Sequence, residues 1–260
     1  MKKTALITGA SKGIGRELAV LFAENQCNVV LVARSWAELE ELKNRLESKF
    51  DISACTIAKD LSLPNAPQEV FAELKKNRID IDYLINNAGF GDYGAFVETK
   101  WERYDKMIAL NISALTQLCH LFAHDWATQR KSGRILNLSS MAAFQPGPMM
   151  AVYFATKSFV LSLSEAIGNE FRKLGITVTA LCPGPTSTNF GAESKMSASE
   201  LMSNVKIASA RDVAIVGYNA MMKGKPVVIE GRQNKLIPIA IRLLPRRLVT
   251  WISGKVMRRK

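Results

Sequence analysis

After Glu230 the chain contains no acidic side chain at all. Residues 1–231 hold 26 basic and 23 acidic groups, a net +3, and the remaining segment, 232–260, adds nine basic groups and no acid, a further +9. The sequence pI of about 9.6 is therefore the property of one segment and not of a broad basic face. No zinc spacing, RNA-binding aromatic signature or basic heptad helix lies upstream, so a nucleic-acid partner is not expected. Cysteine is sparse: Cys27, Cys55, Cys119 and Cys182 stand far apart with no CxxC, which excludes a disulfide scaffold and fits reduced thiols in a cytoplasmic protein. Histidine is sparser. His120 and His124 form an i, i+4 pair, but without an acid beside the first or a third ligand in the motif, no metal is expected. Long apolar runs are missing too: none reaches the ~18 residues of a membrane-spanning helix. The opening MKKTALITGA loses its apolar character at Ser11, Lys12 and Gly13, short of a secretory signal.

What the chain does have is alternation. Short apolar runs (TALIT, VVLVA, ISACTI, DYLINNAG, RILNLSS, ITVTALCPG, PVVIEG) are separated by segments of helical periodicity, the longest being WERYDKMIALNISALTQLCHLFAHDW, read as one unbroken helix. Continuous rather than alternating apolar strands fit burial on both faces. The pattern predicts an α/β fold: a single doubly wound, Rossmann-type parallel sheet of about seven strands with helices on both faces. Ser209 and Asp212 form a capping-box pattern before the last helix, which ends at Gly224. The expected organisation is one dinucleotide-binding catalytic domain over 1–231 and a basic apolar extension over 232–260.

TGASKGIG follows the first strand and opens the first helix. Gly9, Gly13 and Gly15 let the backbone turn tightly and approach a pyrophosphate, in a TGxxxGxG spacing that differs from GxGxxG. An NAD site wants an acid at the end of the second strand. Here Ala33, Arg34 and Ser35 stand there, and Arg34 with Lys12 can accept a 2′-phosphate, which favours NADP(H) over NAD(H). Tyr153 and Lys157 in YFATK are one helical turn apart, and Ser140 lies thirteen residues before Tyr153, where the fifth strand ends.

These motifs, in this order, resemble the short-chain dehydrogenase/reductase family over roughly 4–231: TGASKGIG, NNAG at 86–89, Asn111, NLSS, YFATK and CPGPTST. The resemblance implies an oxidoreductase in which Tyr153 exchanges the proton with a carbonyl oxygen. In it Lys157 lowers the phenol pKa and holds the nicotinamide ribose, Ser140 (with Ser139 as the alternative) binds the carbonyl oxygen, and Asn111 supports a water relay. It also implies cofactor contacts for Gly9, Ser11, Lys12, Gly13, Ile14, Gly15, Arg34 and Ser35, for Asp60 and Leu61 at the adenine, for Asn87, Ala88 and Gly89 along the cofactor, and for Tyr153 and Lys157 themselves. Pro183, Gly184, Thr186 and Thr188 fall at the carboxamide, and Asn86 at a strand-knitting position. The branch it most resembles contains ketoacyl reductases and hydroxysteroid dehydrogenases, which implies an apolar acyl or steroid-like substrate and a homodimer or homotetramer formed through helices near 101–127 and 152–174. The other reading is a cofactor-binding regulatory or scaffold protein without turnover.

The Met-rich stretches MAAFQPGPMMAVY and FGAESKMSASELM flank the implied site and fit either an adaptable apolar pocket or ordinary packing. In the tail, Pro238, Arg242 and Pro245 break the apolar run. From Arg246 on, Leu248, Val249, Ile252 and Val256 are read as one apolar face with Arg247 and Arg258 opposite. Two roles stay open for it: packing over the substrate mouth or a partner subunit, and peripheral contact with an anionic membrane.

Overall fold

The computed structural model describes residues 2–188, 207–231 and 234–257. In chain order the elements are β1 (Thr4–Thr8), α1 (Gly13–Glu24), β2 (Asn28–Ala33), α2 (Trp36–Lys49), β3 (Ala54–Ala58), α3 (Ala66–Lys76) and β4 (Tyr83–Asn86). There follow α4 (Trp101–Ile108), a π-helical turn (Ala109–Ala114), α5 (Leu115–Thr128), β5 (Gly133–Leu138), a 3-10 turn (Met141–Phe144), α6 (Ala151–Glu170) and β6 (Ile176–Cys182). The chain continues with β7 (Thr186–Ser187), β8 (Ala208–Ser209), α7 (Ala210–Met222), β9 (Val227–Ile229), α8 (Ile237–Leu243) and α9 (Arg246–Val256). Seven strands form a parallel sheet in the order β3-β2-β1-β4-β5-β6-β9, and β7 pairs with β8 apart from it.

The continuous apolar strands are explained by the two layers they feed. Ala5 and Ile7 of β1, with Val29 and Leu31 of β2, pack under α1, α2 and α7. Their neighbours Leu6, Val30 and Val32 point the other way, under α3, α5 and α6. Each such Leu, Ile or Val contributes about 1.5–3 kcal/mol on full burial, so an alternating polar residue in these strands would cost one layer or the other. Ser209 caps α7 as its pattern predicts, its hydroxyl accepting from the Asp212 amide at 3.0 Å.

Two expectations need correction. The long helix is not one unbroken α-helix: the π-helical turn at Ala109–Ala114 interrupts it and carries Asn111. Such turns insert one residue into the i→i−4 ladder and leave the periodicity nearly intact, which is why the pattern conceals them. Taken as a whole, the 28 residues Trp101–Thr128 are also long and apolar enough to cross a membrane by length and composition, although Leu115, Leu118, Cys119, Phe122 and Trp126 are buried against the sheet.

The tail's apolar face divides in two. Val249, Ser253 and Met257 form the stripe that packs inward, whereas Leu248, Ile252 and Val256 stay exposed. Gly254, next to Ser253, lies against Pro148, where a β-carbon would come within 3.4 Å of the proline ring.

Candidate active site

The order of the strands reverses between β1 and β4, and beyond their carboxyl ends lies a cleft of about 1040 Å³. Open α/β sheets place ligands at this point because the two neighbouring crossovers leave on opposite faces. Of the residues singled out in the sequence as site candidates, all but Gly15 and Asn111 line it.

Its floor is the glycine turn. Gly9 and Gly13 adopt left-handed φ values of 64° and 56°. A β-carbon on Gly15 would lie 2.2 Å from the Gly9 carbonyl oxygen and 2.4 Å from Asn87 Nδ2. The same Asn87 amide donates to the carbonyls of Thr8 (2.9 Å) and Gly9 (3.1 Å), so it braces the turn from below as well as lining the cleft. Asn86, by contrast, ties β4 to β5 through Asn137 Oδ1 at 2.9 Å. No side chain caps the start of α1, which leaves its first amides facing the turn. Across from them, the Thr188 methyl comes within 3.1 Å of where a Gly13 β-carbon would be, so the segment after β6 closes over the glycine turn. A narrow cradle of this kind, with glycine backbone at its floor, fits a pyrophosphate.

At one end of the cleft stand Arg34, Lys12 and Lys59 with Glu38 and Asp60. Lys12 is engaged by Glu38 of α2 at 2.7 Å. Glu38 was not anticipated; its only signal was its place in the first turn of the helix that follows Arg34. Burial pulls the Asp60 carboxyl upward, but hydrogen bonds from the Ser62 hydroxyl (2.7 Å) and amide (3.0 Å), with Arg34 and Lys106 nearby, hold it below the usual range.

At the other end, Ser140 starts the 3-10 turn, its hydroxyl accepting from the Ala142 amide at 3.1 Å and hydrogen-bonded to the Tyr153 phenol. Ser139 is turned away: it is buried, and its hydroxyl donates to the Lys157 carbonyl at 2.9 Å. Burial pushes the Tyr153 phenol up to about 12, and the Ser140 hydroxyl is what opposes the rise. Burial also draws the Lys157 ammonium down to about 8. Lys157 Nζ donates to the Leu138 carbonyl at 2.7 Å and lies 5.8 Å from the centroid of the Tyr153 ring. Desolvation thus dominates the phenol, and the lowering expected from Lys157 does not appear among the causes that set it. Asn111 sits behind them. Its amide bonds both backbone groups of Phe90 (3.0 and 3.2 Å) and the Thr156 hydroxyl (3.1 Å), and its Oδ1 and Lys157 Nζ both converge on Gly89.

An apolar wall completes the site. Tyr93, Tyr104, Met107, Ala142, Met150 and Phe154 pack with Tyr153 and with Met257 of the tail. The Tyr93 hydroxyl donates to the Met257 carbonyl. The first Met-rich stretch supplies Met141, Ala142, Gln145 and Phe154's neighbour Tyr153 to the cleft; the second, at 190–202, lies outside the described residues. The tail reaches the cleft, as the packing role left open for it expects, through residues that were not singled out: Asn234 and Ile237 line the cleft, and the Asn234 amide lies 2.7 Å from where a Gly184 β-carbon would be. His120 and His124 stack with ring centroids 6.1 Å apart on an exposed face, and no group of three or more potential metal ligands occurs among the described residues.

Comparison with known proteins gives this geometry its family. The short chain dehydrogenase family model matches residues 3–198. A very-long-chain 3-oxoacyl-CoA reductase of Laccaria bicolor is 36% identical over 68% of this chain, though the match spans only 53% of that protein's length. A 7beta-hydroxysteroid dehydrogenase of Mediterraneibacter gnavus is 29% identical over 70% of this chain and 68% of its own. Among solved structures, a short-chain dehydrogenase from Sphingobium yanoikuyae in complex with NADPH superposes with a TM-score of 0.84 at 30% identity, covering 92% of both chains. A bulky-bulky ketone specific alcohol dehydrogenase from Comamonas testosteroni gives 0.78 at 31% identity over 92% of both chains. The chain is a member of the short chain dehydrogenase family.

Proposed function

We propose that this protein is an NADP(H)-dependent, cytoplasmic oxidoreductase that interconverts a ketone and a secondary alcohol on an apolar, acyl or steroid-like substrate. The observation that carries the reading is the hydrogen-bonded pair of Ser140 and Tyr153 hydroxyls beside the buried Lys157 ammonium, at the carboxyl ends of the strands and against an apolar wall. The ketone-specific and hydroxysteroid relatives support the substrate class, and the NADPH complex supports the cofactor.

A bound nicotinamide would supply the hydride. The chain supplies the rest. Tyr153, protonated throughout the neutral range at a pKa of about 12, is the proton donor to a carbonyl oxygen, and the Ser140 hydroxyl holds that oxygen as negative charge develops on it. Lys157 places a positive charge behind the phenol and is within reach of a ribose laid along Gly89. Asn111 fixes the Phe90 backbone and the Thr156 hydroxyl, keeping α6 in register with the end of β4. Incubation with NADPH and a panel of acyl, steroid and quinone carbonyls tests the whole reading. Tight NADPH binding with no consumption on any of them selects the regulatory or scaffold role instead. The outward faces of α4, α5 and α6, with Trp101 and Phe159 exposed, support pairing into a homodimer or homotetramer.

The pH dependence follows from Lys157. Its pKa of about 8 lies below the ordinary lysine value, so the ammonium is complete below pH 7 and is lost as pH rises through 8. Ketone reduction is therefore expected to hold level at low pH and to fall through an inflection near 8. Replacing Lys157 with Arg, which keeps its charge, should abolish that inflection along with much of the rate. A wild-type profile without an inflection between about pH 7 and 9 contradicts this role for the ammonium.

Cofactor choice is expected to divide between Arg34 and Glu38. Arg34→Asp removes charge-assisted bonds to a 2′-phosphate and should weaken NADPH by about 10–100-fold while leaving NADH within a few-fold. Glu38→Gln frees Lys12 from its 2.7 Å ion pair and should tighten NADPH by roughly two- to fivefold, as befits a half-exposed pair. Equal changes for both cofactors in a titration would remove the phosphate argument.

A further inference from the structure

We propose that α8 and α9 are a docking element for an anionic lipid bilayer, and that they hold the mouth of the cleft against the lipid surface. The docking surface stands whether or not Tyr153 turns over a ketone; only its use in delivering substrate rests on the function proposed above.

Three observations carry it. The first is unpartnered apolar surface. Of the eighteen large hydrophobic side chains exposed among the described residues, nine fall between Leu236 and Val256, with Leu243 81% exposed, Leu236 68%, Ile239 60% and Trp251 57%. Surfaces this apolar on a folded chain mark a contact site.

The second is charge. Lys235, Arg242, Arg246, Arg247 and Lys255 are exposed among those side chains, and none of the ion pairs found among the described residues involves them. Lys255 stands 3.9 Å over the Trp251 ring, an amphipathic pair of the kind that sits where headgroups meet acyl chains. A second copy of this chain is a poor occupant, since a symmetric contact would set these five cations, none of them in an ion pair among the described residues, against five others. Nucleic acid would satisfy the charge and leave the apolar side chains in water. A bilayer with anionic headgroups answers both.

The third is placement. Helices of seven and eleven residues, separated by Pro245, are too short to span and are suited to lie in the interface. The inward stripe of α9 ends on Met257, packed in the cluster that contains Tyr153, and Ile237 at the start of α8 lines the cleft. One face of the tail thus closes the active site while the other is bare, so docking that bare face brings the cleft to the lipid.

Full-length protein co-sedimented with vesicles tests this. With phosphatidylglycerol–phosphatidylcholine vesicles at low salt the protein is expected in the pellet. Binding should be at least tenfold weaker with phosphatidylcholine alone or at about 0.5 M salt, where the Debye length falls to a few ångströms. The double variant Leu243→Glu, Trp251→Glu changes only exposed side chains and should lose at least tenfold in vesicle binding, with NADPH affinity and thermal melting unchanged. The proposal is overturned if wild-type protein stays in the supernatant with anionic vesicles at low salt, or if the variant binds as wild type does. It is equally overturned if the variant instead dissociates an oligomer in sedimentation velocity while neither protein pellets with lipid. Because NADPH affinity is read separately, a failed docking surface leaves the catalytic reading standing, and the reverse.

Discussion

Tyr153→Phe is expected to lower kcat for ketone reduction by about 10²–10⁴-fold while leaving the NADPH Kd within twofold. The substitution removes one oxygen from a ring that otherwise stays where it is, packed among Tyr93, Met150 and Phe154, with its edge on the Phe154 ring at 6.2 Å and 76°. What goes with the oxygen is the proton and the partner of the Ser140 hydroxyl. Ser140→Ala should cost less than this, because the phenol still donates. The double variant should cost little more than Tyr153→Phe alone, since the two hydroxyls act on one oxygen atom. Stopped-flow or steady-state consumption of NADPH with the best carbonyl from the panel reads all three. A Tyr153→Phe rate within tenfold of wild type would place the proton donor elsewhere in the cleft.

The second large effect belongs to Gly15→Ala, a single methyl group. That carbon has nowhere to go: 2.2 Å away is the Gly9 carbonyl oxygen, which is backbone and already bonded by the Asn87 amide, and Asn87 Nδ2 itself lies at 2.4 Å. The start of α1 must move away from the end of β1, which widens the cradle that the first amides form. Displacement of about 1 Å at a positioning element commonly costs on the order of 10²-fold, and NADPH affinity is expected to fall by about that much. Overpacking of this kind destabilises by about 1–3 kcal/mol, or roughly 2–10 °C in Tm for a domain of this size. Gly94→Ala is the control, because a β-carbon there meets only Thr99 Oγ1 at 3.5 Å, an ordinary contact. If Gly15→Ala binds NADPH like Gly94→Ala, the turn is not a cradle.

The parts of the site that could be read in the sequence are those where backbone chemistry forces a residue type. Gly9 and Gly13 must adopt φ values that side chains resist, and Tyr153 and Lys157 share a helix face at fixed spacing. Strands buried on both sides announce themselves as unbroken apolar runs, which is why the sheet and its two layers were legible. What escaped was set by contacts between distant segments. Glu38 reaches Lys12 across two elements, Asn87 turned out to brace the glycine turn, and Asn234 reaches Gly184 from beyond the last strand of the sheet. Periodicity misled twice. It passed through the π-helical turn at Asn111 without a break, and it grouped Val249 with Leu248, Ile252 and Val256 although Val249 packs inward with Ser253 and Met257. In both cases the decisive quantity is an offset of a single residue about the helix axis, which a 3.6-residue pattern does not resolve.

The two ends of the described chain emerge at opposite rims of the molecule. Lys3 precedes β1 at the amino edge of a sheet whose strands are all parallel, whereas Met257 lies in the cluster at their carboxyl edge, its carbonyl held by the Tyr93 hydroxyl. An affinity tag or fluorescent fusion joined after Met257 would hang beside the Tyr153 cluster and across the bare face of the last helix. The same tag joined before Lys3 would trail from the far side, leaving the protein's reach toward its surroundings intact.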